Sequence, residues 1–240
     1  MNQAGRRTAA VAGFCFLFTV ILLVTVLTIY NIAGDKDTLA TQMRRHSVPE
    51  YSGLPDEEYP EMGKMIAVYL TGGGKTFQYS FTDAEGNTVE CFSSREAEHM
   101  ADCRDLIALA GRFRWYLGIA GLILLGVGAI LWKHMKSFAN GMLAGFGVAL
   151  AIGLALLIWG MISFDGLFTA FHKLAFTNDL WLMNPETDMI IRLMPGTFFR
   201  SLGIKVLLAI VPAALASLAA AVILRIIGGN VNEEERAARA

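Results

Sequence analysis

Two histidines in otherwise apolar surroundings are the side chains best suited to chemistry in this sequence. His99 and His172 lie far apart along the chain, and histidine is the residue that most readily exchanges a proton near neutral pH. Asp102 follows His99 by three residues, so on a helix it would share one face with His99 and could fix the imidazole tautomer. These residues alone leave two interpretations open: acid–base catalysis, or a structural polar network that anchors this part of the chain.

More polar side chains follow His172 in a segment that is otherwise apolar: Asp179, Asp188 and Arg192. Ionisable groups near hydrocarbon are costly, so such a cluster suggests function. His99, His172 and these carboxylates could instead hold a metal ion. However, the sequence has no dense ligand pattern such as HExxH or CxxC, and we predict no metal site.

Nucleotide and nucleic-acid binding are not predicted. Gly74-Lys75-Thr76 resembles the end of a phosphate-binding loop, but Tyr69 stands where the full pattern needs a glycine. The formal net charge is −1, which argues against a nucleic-acid partner on electrostatic grounds.

Four apolar runs must position these polar residues. Of 240 residues, 55% are hydrophobic and 17% are charged, and a membrane span needs about 20 mostly apolar residues. The runs are 8–32, 115–132, 141–164 and 206–224. Gly141-x-x-x-Gly145 suits close helix contact, and Pro212 is tolerated inside a membrane helix. The fold class predicted is an α-helical integral membrane protein with four transmembrane helices.

The first run could also be a cleaved signal peptide, since Arg6 and Arg7 precede it. Its apolar stretch is far longer than the roughly 7–15 residues of a signal peptide, so we expect a retained anchor. Lys and Arg in short loops set the orientation. Lys133 and Lys136 lie between the second and third runs, and Arg225 follows the fourth, which predicts an N-in/C-in protein.

The predicted division of the chain follows from these runs. Transmembrane helices are expected at 1–34, 112–133, 141–164 and 204–228, with an extracytoplasmic domain at 35–111, a cytoplasmic loop at 134–140, an outer interfacial segment at 165–203 and a cytoplasmic tail at 229–240. The 35–111 segment holds 14 acidic and 7 basic residues, a composition that fits a small α+β domain better than a linker.

Within the outer domain we predict a helix at 56–70, strands at 76–82 and 88–92, and a second helix from Ser94 into the second span. Ser93 or Ser94 can cap that helix, with Glu96 or Glu98 in its first turn. The aromatic-rich 165–203 segment is typical of an interfacial or re-entrant helix.

Cys91 and Cys103 both fall in the outer domain. They could pair in an oxidising compartment, or both could be free thiols, and their spacing does not distinguish the two.

The residues around the histidines resemble a known family, that of the bacterial lipoprotein intramolecular transacylases. The resemblance is carried by Phe171-His172-Lys173-Leu174-Ala175-Phe176-Thr177-Asn178-Asp179-Leu180-Trp181, Asn184-Pro185, Asp188, Ile190-Ile191, Pro195 and Phe198-Phe199, and by Arg95-Glu96, His99-Met100-Ala101-Asp102 and Leu106.

This resemblance implies an acyltransferase that moves an acyl chain from the internal ester of a diacylglyceryl group to the α-amino group of the same lipoprotein's N-terminal cysteine. The product is an N-acyl lyso-lipoprotein, and no cofactor is required. We expect His99, oriented by Asp102, and His172 to act as base and acid in either order. Trp181 or Arg192 could stabilise the oxyanion, and Asp179 and Asp188 are expected to help bind the substrate.

The expected partners are diacylglyceryl-modified bacterial lipoproteins and membrane lipid, and the expected location is the bacterial cytoplasmic membrane, multi-pass, with the site on the outer face. The alternative is a non-enzymatic lipid- or lipoprotein-binding accessory protein. A transporter is disfavoured because few charges lie in the middle of the spans.

Overall fold

The computed structural model describes residues 3–47, 52–83 and 85–237, without the side chains of 230–237. The helices are α1 Gln3–Gly34, α2 Lys36–His46, α3 Tyr59–Leu70, α4 Ser94–Ile130, α5 Met135–Ile162, α6 Phe164–Ala175, α7 Met189–Leu193 and α8 Gly196–Ala237. The strands are β1 Ser80–Thr82 and β2 Thr88–Glu90, and 3-10 turns lie at Asp56–Glu58 and Trp132–His134. Four segments are long and apolar enough to cross a membrane: Gln3–Gly34, Ser94–Ile130, Trp132–Ile162 and Gly196–Gly229. The predicted four-span helical fold is confirmed.

One compact unit is drawn from Met1–Val26, Phe113–Ile158 and Leu207–Ala240. Glycines allow α1 and α5 to touch backbone to backbone within it. A Cβ on Gly141 would lie 1.9 Å from the Ala10 carbonyl oxygen, and one on Gly145 would lie 3.2 Å from the Phe14 carbonyl oxygen. The predicted close contact at Gly141-x-x-x-Gly145 therefore occurs, because any larger side chain would force these helices apart.

The other compact unit comprises Leu27–Arg112 and Trp159–Val206. Its core is the largest cluster of buried apolar side chains in the described chain, with members from α2, α3, α4, α7 and α8. Among the least exposed are Met43, Tyr59, Met62, Leu193 and Phe198. This unit holds both His99 and His172.

Helix α2 was not among the predicted elements, since the first helix expected in the outer domain was the one at 56–70. Asp35 caps it: one carboxylate oxygen accepts from the backbone N–H groups of Asp37 and Thr38, both at 3.1 Å. The hydrogen bond that the Thr38 hydroxyl donates to Asp35, followed by these backbone bonds, lowers the pKa of Asp35. The helix is stable because Leu39 and Met43 enter the core, so tertiary packing outweighs its polar composition.

The strands are shorter than predicted but occur where the sequence placed them. They pair antiparallel, with Phe81 opposite Val89. Gly86 has φ +84°, a conformation that glycine adopts without a steric penalty. The helix predicted from Ser94 is confirmed and continues without a break into the second span as α4.

Candidate active site

Helices α4 and α6 bring the two histidines together. His99 lies in the polar first turns of α4, well before its apolar stretch, and His172 lies near the end of α6. Ser163 starts α6 by accepting a hydrogen bond from the Gly166 N–H at 3.1 Å. The two imidazole rings have centroids 6.2 Å apart and planes 28° apart. Both side chains are buried, at 6% and 7% exposure.

Aromatic rings surround His172 on several sides. The ring centroids of Phe168, Trp181, Phe171 and Phe176 lie 4.1, 5.1, 5.4 and 5.5 Å from that of His172. Phe176 also contacts His99, at 5.2 Å. The site therefore combines two proton-exchanging groups with an apolar lining, which suits a lipid substrate.

Hydrogen bonds define how each imidazole carries its proton. His172 Nδ1 lies 2.8 Å from the Phe168 carbonyl oxygen. A carbonyl only accepts, so Nδ1–H is the donor and the neutral ring keeps its lone pair on Nε2. His99 Nε2 lies 3.5 Å from Cys103 Sγ. His99 Nδ1 is buried and has no hydrogen-bond partner in the described chain.

Burial keeps both rings neutral at pH 7. It lowers the pKa of His99 to about 4, with a further decrease from the nearby His172 and a partial opposing effect from Asp102. Burial also lowers the pKa of His172, although the hydrogen bond to the Phe168 carbonyl oxygen acts in the opposite direction and raises it. Burial raises the pKa of the Cys103 thiol to about 12, helped by Asp102. Cys103 therefore stays protonated, and its Sγ donates to or accepts from His99 Nε2 according to which ring nitrogen of His99 carries the proton.

Asp102 does not hold the His99 ring, contrary to expectation. Its Oδ2 instead accepts a hydrogen bond from the Asn178 side-chain amide at 2.9 Å. On a helix, the residues three and four positions after a given residue both lie next to its side chain. Here Cys103, four positions after His99, contacts the His99 ring. Asp102 therefore acts on His99 through its charge and fixes the loop that carries Asn178.

The loop between α6 and α7 is tied to the first turns of α4. Arg95 Nη2 donates to the carbonyl oxygens of Asp179 and Leu182, at 3.0 and 2.8 Å. Glu96 is 2% exposed; its Oε2 accepts from the Ser93 N–H at 2.8 Å and its Oε1 from the Ile190 N–H at 2.8 Å. Of the capping residues that the sequence allowed, Ser93 and Glu96 form the capping box, and Glu96 also anchors the start of α7.

The other four predicted residues belong mainly to this loop. Trp181 Nε1 donates to the Asn178 carbonyl oxygen at 2.9 Å, although its ring packs on His172. Arg192 Nε donates to the Pro185 carbonyl oxygen at 2.7 Å, and its Nη2 to the Glu186 carbonyl oxygen. In this structure both predicted oxyanion donors bond to carbonyl oxygens of the loop.

Neither loop carboxylate shows a contact with the histidines. The Asp188 carboxylate accepts hydrogen bonds within its own loop, from the Asn184 N–H at 2.7 Å and from the Thr187 hydroxyl at 3.1 Å. Asp179 is exposed and contributes its backbone carbonyl to Arg95. No group of three or more His, Cys, Asp or Glu able to hold a metal occurs in residues 3–47, 52–83 and 85–229.

Sequence reasoning missed two partners of the histidines. Cys103 stands four residues after His99, and Phe168 stands four residues before His172, so helical i,i+4 spacing could have indicated both. Cys91 and Cys103 are both free thiols, so the disulfide that the spacing allowed is absent from the structure.

Comparisons with known proteins agree with this architecture. A solved structure of the membrane-integral lipoprotein intramolecular transacylase Lit from Bacillus cereus superposes with a TM-score of 0.68 at 19% identity, covering 98% of this chain and 100% of that chain. Structures of the same protein with one histidine replaced by arginine or by alanine give TM-scores of 0.62 and 0.60, at 17% and 19% identity. They cover 98% and 97% of this chain, and 95% and 96% of theirs.

At these identities the superpositions show the shared fold. No match was found among the curated proteins. The model of the family described as lipoprotein intramolecular transacylase Lit matches residues 11–199, which favours the enzymatic prediction over the accessory-protein alternative. This chain belongs to the lipoprotein intramolecular transacylase family, whose members are membrane-integral acyltransferases.

Proposed function

We propose that this protein moves the acyl chain from the internal ester of a diacylglyceryl group to the α-amino group of the same lipoprotein's N-terminal cysteine. The observation that carries the proposal is the buried pair His99 and His172, held neutral in aromatic surroundings. An amine must lose a proton to become an amide, and a neutral imidazole accepts one.

The reaction needs no co-reactant. The amine nitrogen attacks the ester carbonyl carbon, forming a C–N bond while one N–H proton passes to a base. The tetrahedral intermediate then expels the glyceryl oxygen, which takes up a proton as the C–O bond breaks. The products are an amide and a free glyceryl hydroxyl, so one ester is exchanged for one amide. Because donor and acceptor belong to one molecule, proximity supplies much of the rate.

His172 is the base in this scheme. Its Nδ1–H is committed to the Phe168 carbonyl oxygen, so Nε2 accepts the amine proton and returns it to the departing glyceryl oxygen. The backbone acceptor fixes the ring much as a carboxylate does in a catalytic triad. The substrate amine, with an ordinary pKa of about 8, enters the reaction as its neutral form.

His99 is the oxyanion donor. In this scheme Cys103 S–H donates to its Nε2, and the proton of the neutral ring lies on Nδ1. Nδ1 is buried and has no hydrogen-bond partner among the described residues, and a donor left without a partner is costly unless a ligand accepts from it. The negative oxygen of the tetrahedral intermediate is such an acceptor, and a neutral imidazole donor suits it.

We propose that the site faces the outer side of the bacterial cytoplasmic membrane, with 35–111 and 165–203 outside and both termini inside. The basic residues Arg6, Arg7, Lys133, Lys136 and Arg225 support this orientation. Diacylglyceryl lipoproteins anchored in the outer leaflet are then the substrates, and membrane lipid surrounds the acyl chains.

Tandem mass spectrometry of one lipoprotein's N-terminal peptide, from cells with and without the gene, tests the reaction. Intramolecular transfer leaves the total mass unchanged, so the fragments must show where the acyl chain sits. We expect acyl on nitrogen and a lyso-glyceryl group only when the protein is present. Both acyl chains on glycerol in either strain, with the protein confirmed in the membrane, would overturn the proposal.

Substitution of the histidines separates catalysis from binding. His172→Ala should abolish the N-acyl product, whereas His46→Ala, at the end of α2 in the same unit, should leave it unchanged. Full product formation by folded, membrane-inserted His99→Ala and His172→Ala proteins would exclude histidine catalysis.

A further inference from the structure

A cavity of about 410 Å³ lies within the unit drawn from Met1–Val26, Phe113–Ile158 and Leu207–Ala240. It is lined by Lys136 from the first turn of α5 and by Val222, Arg225, Ile226 and Gly229 from α8. Its volume falls in the range of small-molecule pockets, roughly 300–1,000 Å³. The catalytic proposal makes no use of it.

The two helices are fixed against each other beside the cavity. A Cβ added to Gly228 would lie 2.6 Å from the Lys136 backbone nitrogen, so the backbones of α5 and α8 are in contact there. A Cβ on Gly229 would meet nothing within 4 Å, so the adjoining space stays open. Lys136 and Arg225 thus line one preformed opening.

The residues that line the cavity carry positive charge, and none of them forms an ion pair with an acidic side chain of the described residues. The ion pairs among the described residues join Arg44 to Asp56 and Lys64 to Glu61, and neither pair includes a residue that lines the cavity. The acidic residues of this unit are Glu233–Glu235, beyond the cavity on α8. Lys136 and Arg225 are both exposed.

Exposed aliphatic side chains adjoin the two cations. Val222 is 43% exposed and Ile226 is 60% exposed, and both lie on the helix that carries the fourth span. A free inorganic anion gains nothing from these side chains, whereas a phospholipid presents a phosphate next to acyl chains. Basic pockets between membrane helices are known to hold anionic lipid head groups.

We propose that this cavity binds the phosphate of an anionic phospholipid, with Lys136 and Arg225 contacting the phosphate oxygens and Val222 and Ile226 contacting the first acyl carbons. The site is separate from the histidine pair, so it does not depend on the acyl-transfer proposal.

Native mass spectrometry of the full chain in detergent, titrated with phosphatidylglycerol or phosphatidylcholine, tests the site. We expect one phosphatidylglycerol to be retained in preference to phosphatidylcholine. In Lys136→Gln/Arg225→Gln the affinity should fall about thirtyfold, the effect of two juxtaposed cations. The matched control Arg7→Gln/Lys133→Gln removes the same charge elsewhere in this unit and should keep the wild-type affinity.

Two outcomes would overturn the proposal. An equal loss in both double variants would mean diffuse attraction to basic residues. Competition by inorganic phosphate as effective as that by the lipid would mean a free-anion site. Gel-filtration profiles, and a Lys136→Arg/Arg225→Lys variant that retains binding, exclude misfolding as the cause of a loss.

Discussion

The carboxylate of Glu96 joins two helices that are remote in sequence: Oε2 caps the start of α4 through Ser93, and Oε1 accepts the Ile190 N–H at the start of α7. A buried carboxylate is costly unless hydrogen bonds satisfy it, and here backbone and hydroxyl donors do so. One residue thereby connects the helix that carries His99 to the end of the loop that follows His172.

Glu96→Ala should destabilise the protein by roughly 3 kcal/mol, because it leaves the buried Ile190 N–H and the partly buried Ser93 N–H, at two helix starts, without their acceptor. Thermal unfolding of the purified protein in detergent measures the loss. Glu98→Ala, at an exposed position of the same turn, should change stability by less than about 0.5 kcal/mol. Equal melting temperatures for the two variants would contradict the linking role of Glu96.

The two nitrogens of His99 can be tested separately, because asparagine places its amide near the position of Nδ1 and glutamine near that of Nε2. If Nδ1–H is the oxyanion donor, His99→Asn should retain far more activity than His99→Gln, which should lose about 10²–10³ in kcat. The measurement is kcat with a synthetic diacylglyceryl lipopeptide. A more active glutamine variant would assign the donor to Nε2 instead.

Cys103 should act as a positioning residue through the tautomer of His99. Cys103→Ser keeps a hydrogen-bond donor beside His99 Nε2, and Cys103→Val removes it. ¹⁵N NMR of labelled histidine should find the His99 proton on Nδ1 in the wild type and the serine variant. In Cys103→Val we expect a shift toward Nε2–H, with kcat reduced and KM little changed. An unchanged tautomer in the valine variant would contradict this role.

The pH dependence of the rate follows from the lowered pKa of His172. From about pH 6.5 to 8, log(kcat/KM) should rise with a slope of about one, because only the substrate amine titrates there. The slope should steepen to about two only below pH 6.5, once His172 itself is protonated. A slope of about one and a half already at pH 6.5 would show an ordinary, unshifted histidine, since such a group is half protonated there.

Stability should also depend on pH through His99. The pKa of His99 is about 4 in the folded chain against 6.5 for an ordinary histidine, so below pH 6.5 the unfolded state binds the proton first. The contribution of the neutral His99 ring to the free energy of unfolding is therefore fully present above pH 6.5 and is lost as the pH falls toward 4. Melting temperatures recorded across this range should fall more steeply in the wild type than in His99→Asn; parallel curves would contradict the shift.

The sequence by itself determined the class of the protein and most of its helices. Uninterrupted apolar runs predict spans because unpaired backbone groups are too costly in lipid for anything but a helix or barrel. The capping box at Ser93 and Glu96 marked the start of α4, since its signal is local. His99 and His172 could also be identified locally, because each is a titratable residue close in sequence to a long apolar run.

Tertiary structure alone decided what each of these residues contacts. The sequence favoured Asp102 as the partner of His99, yet Cys103 holds the ring and Asn178 takes the carboxylate. Trp181 and Arg192 offered suitable donors by residue type, but loop carbonyls occupy them. Helix α2 likewise exists because its few apolar residues meet a core built from distant segments. Such pairings depend on which surfaces meet in space, and spacing along the chain constrains them only within a helical turn.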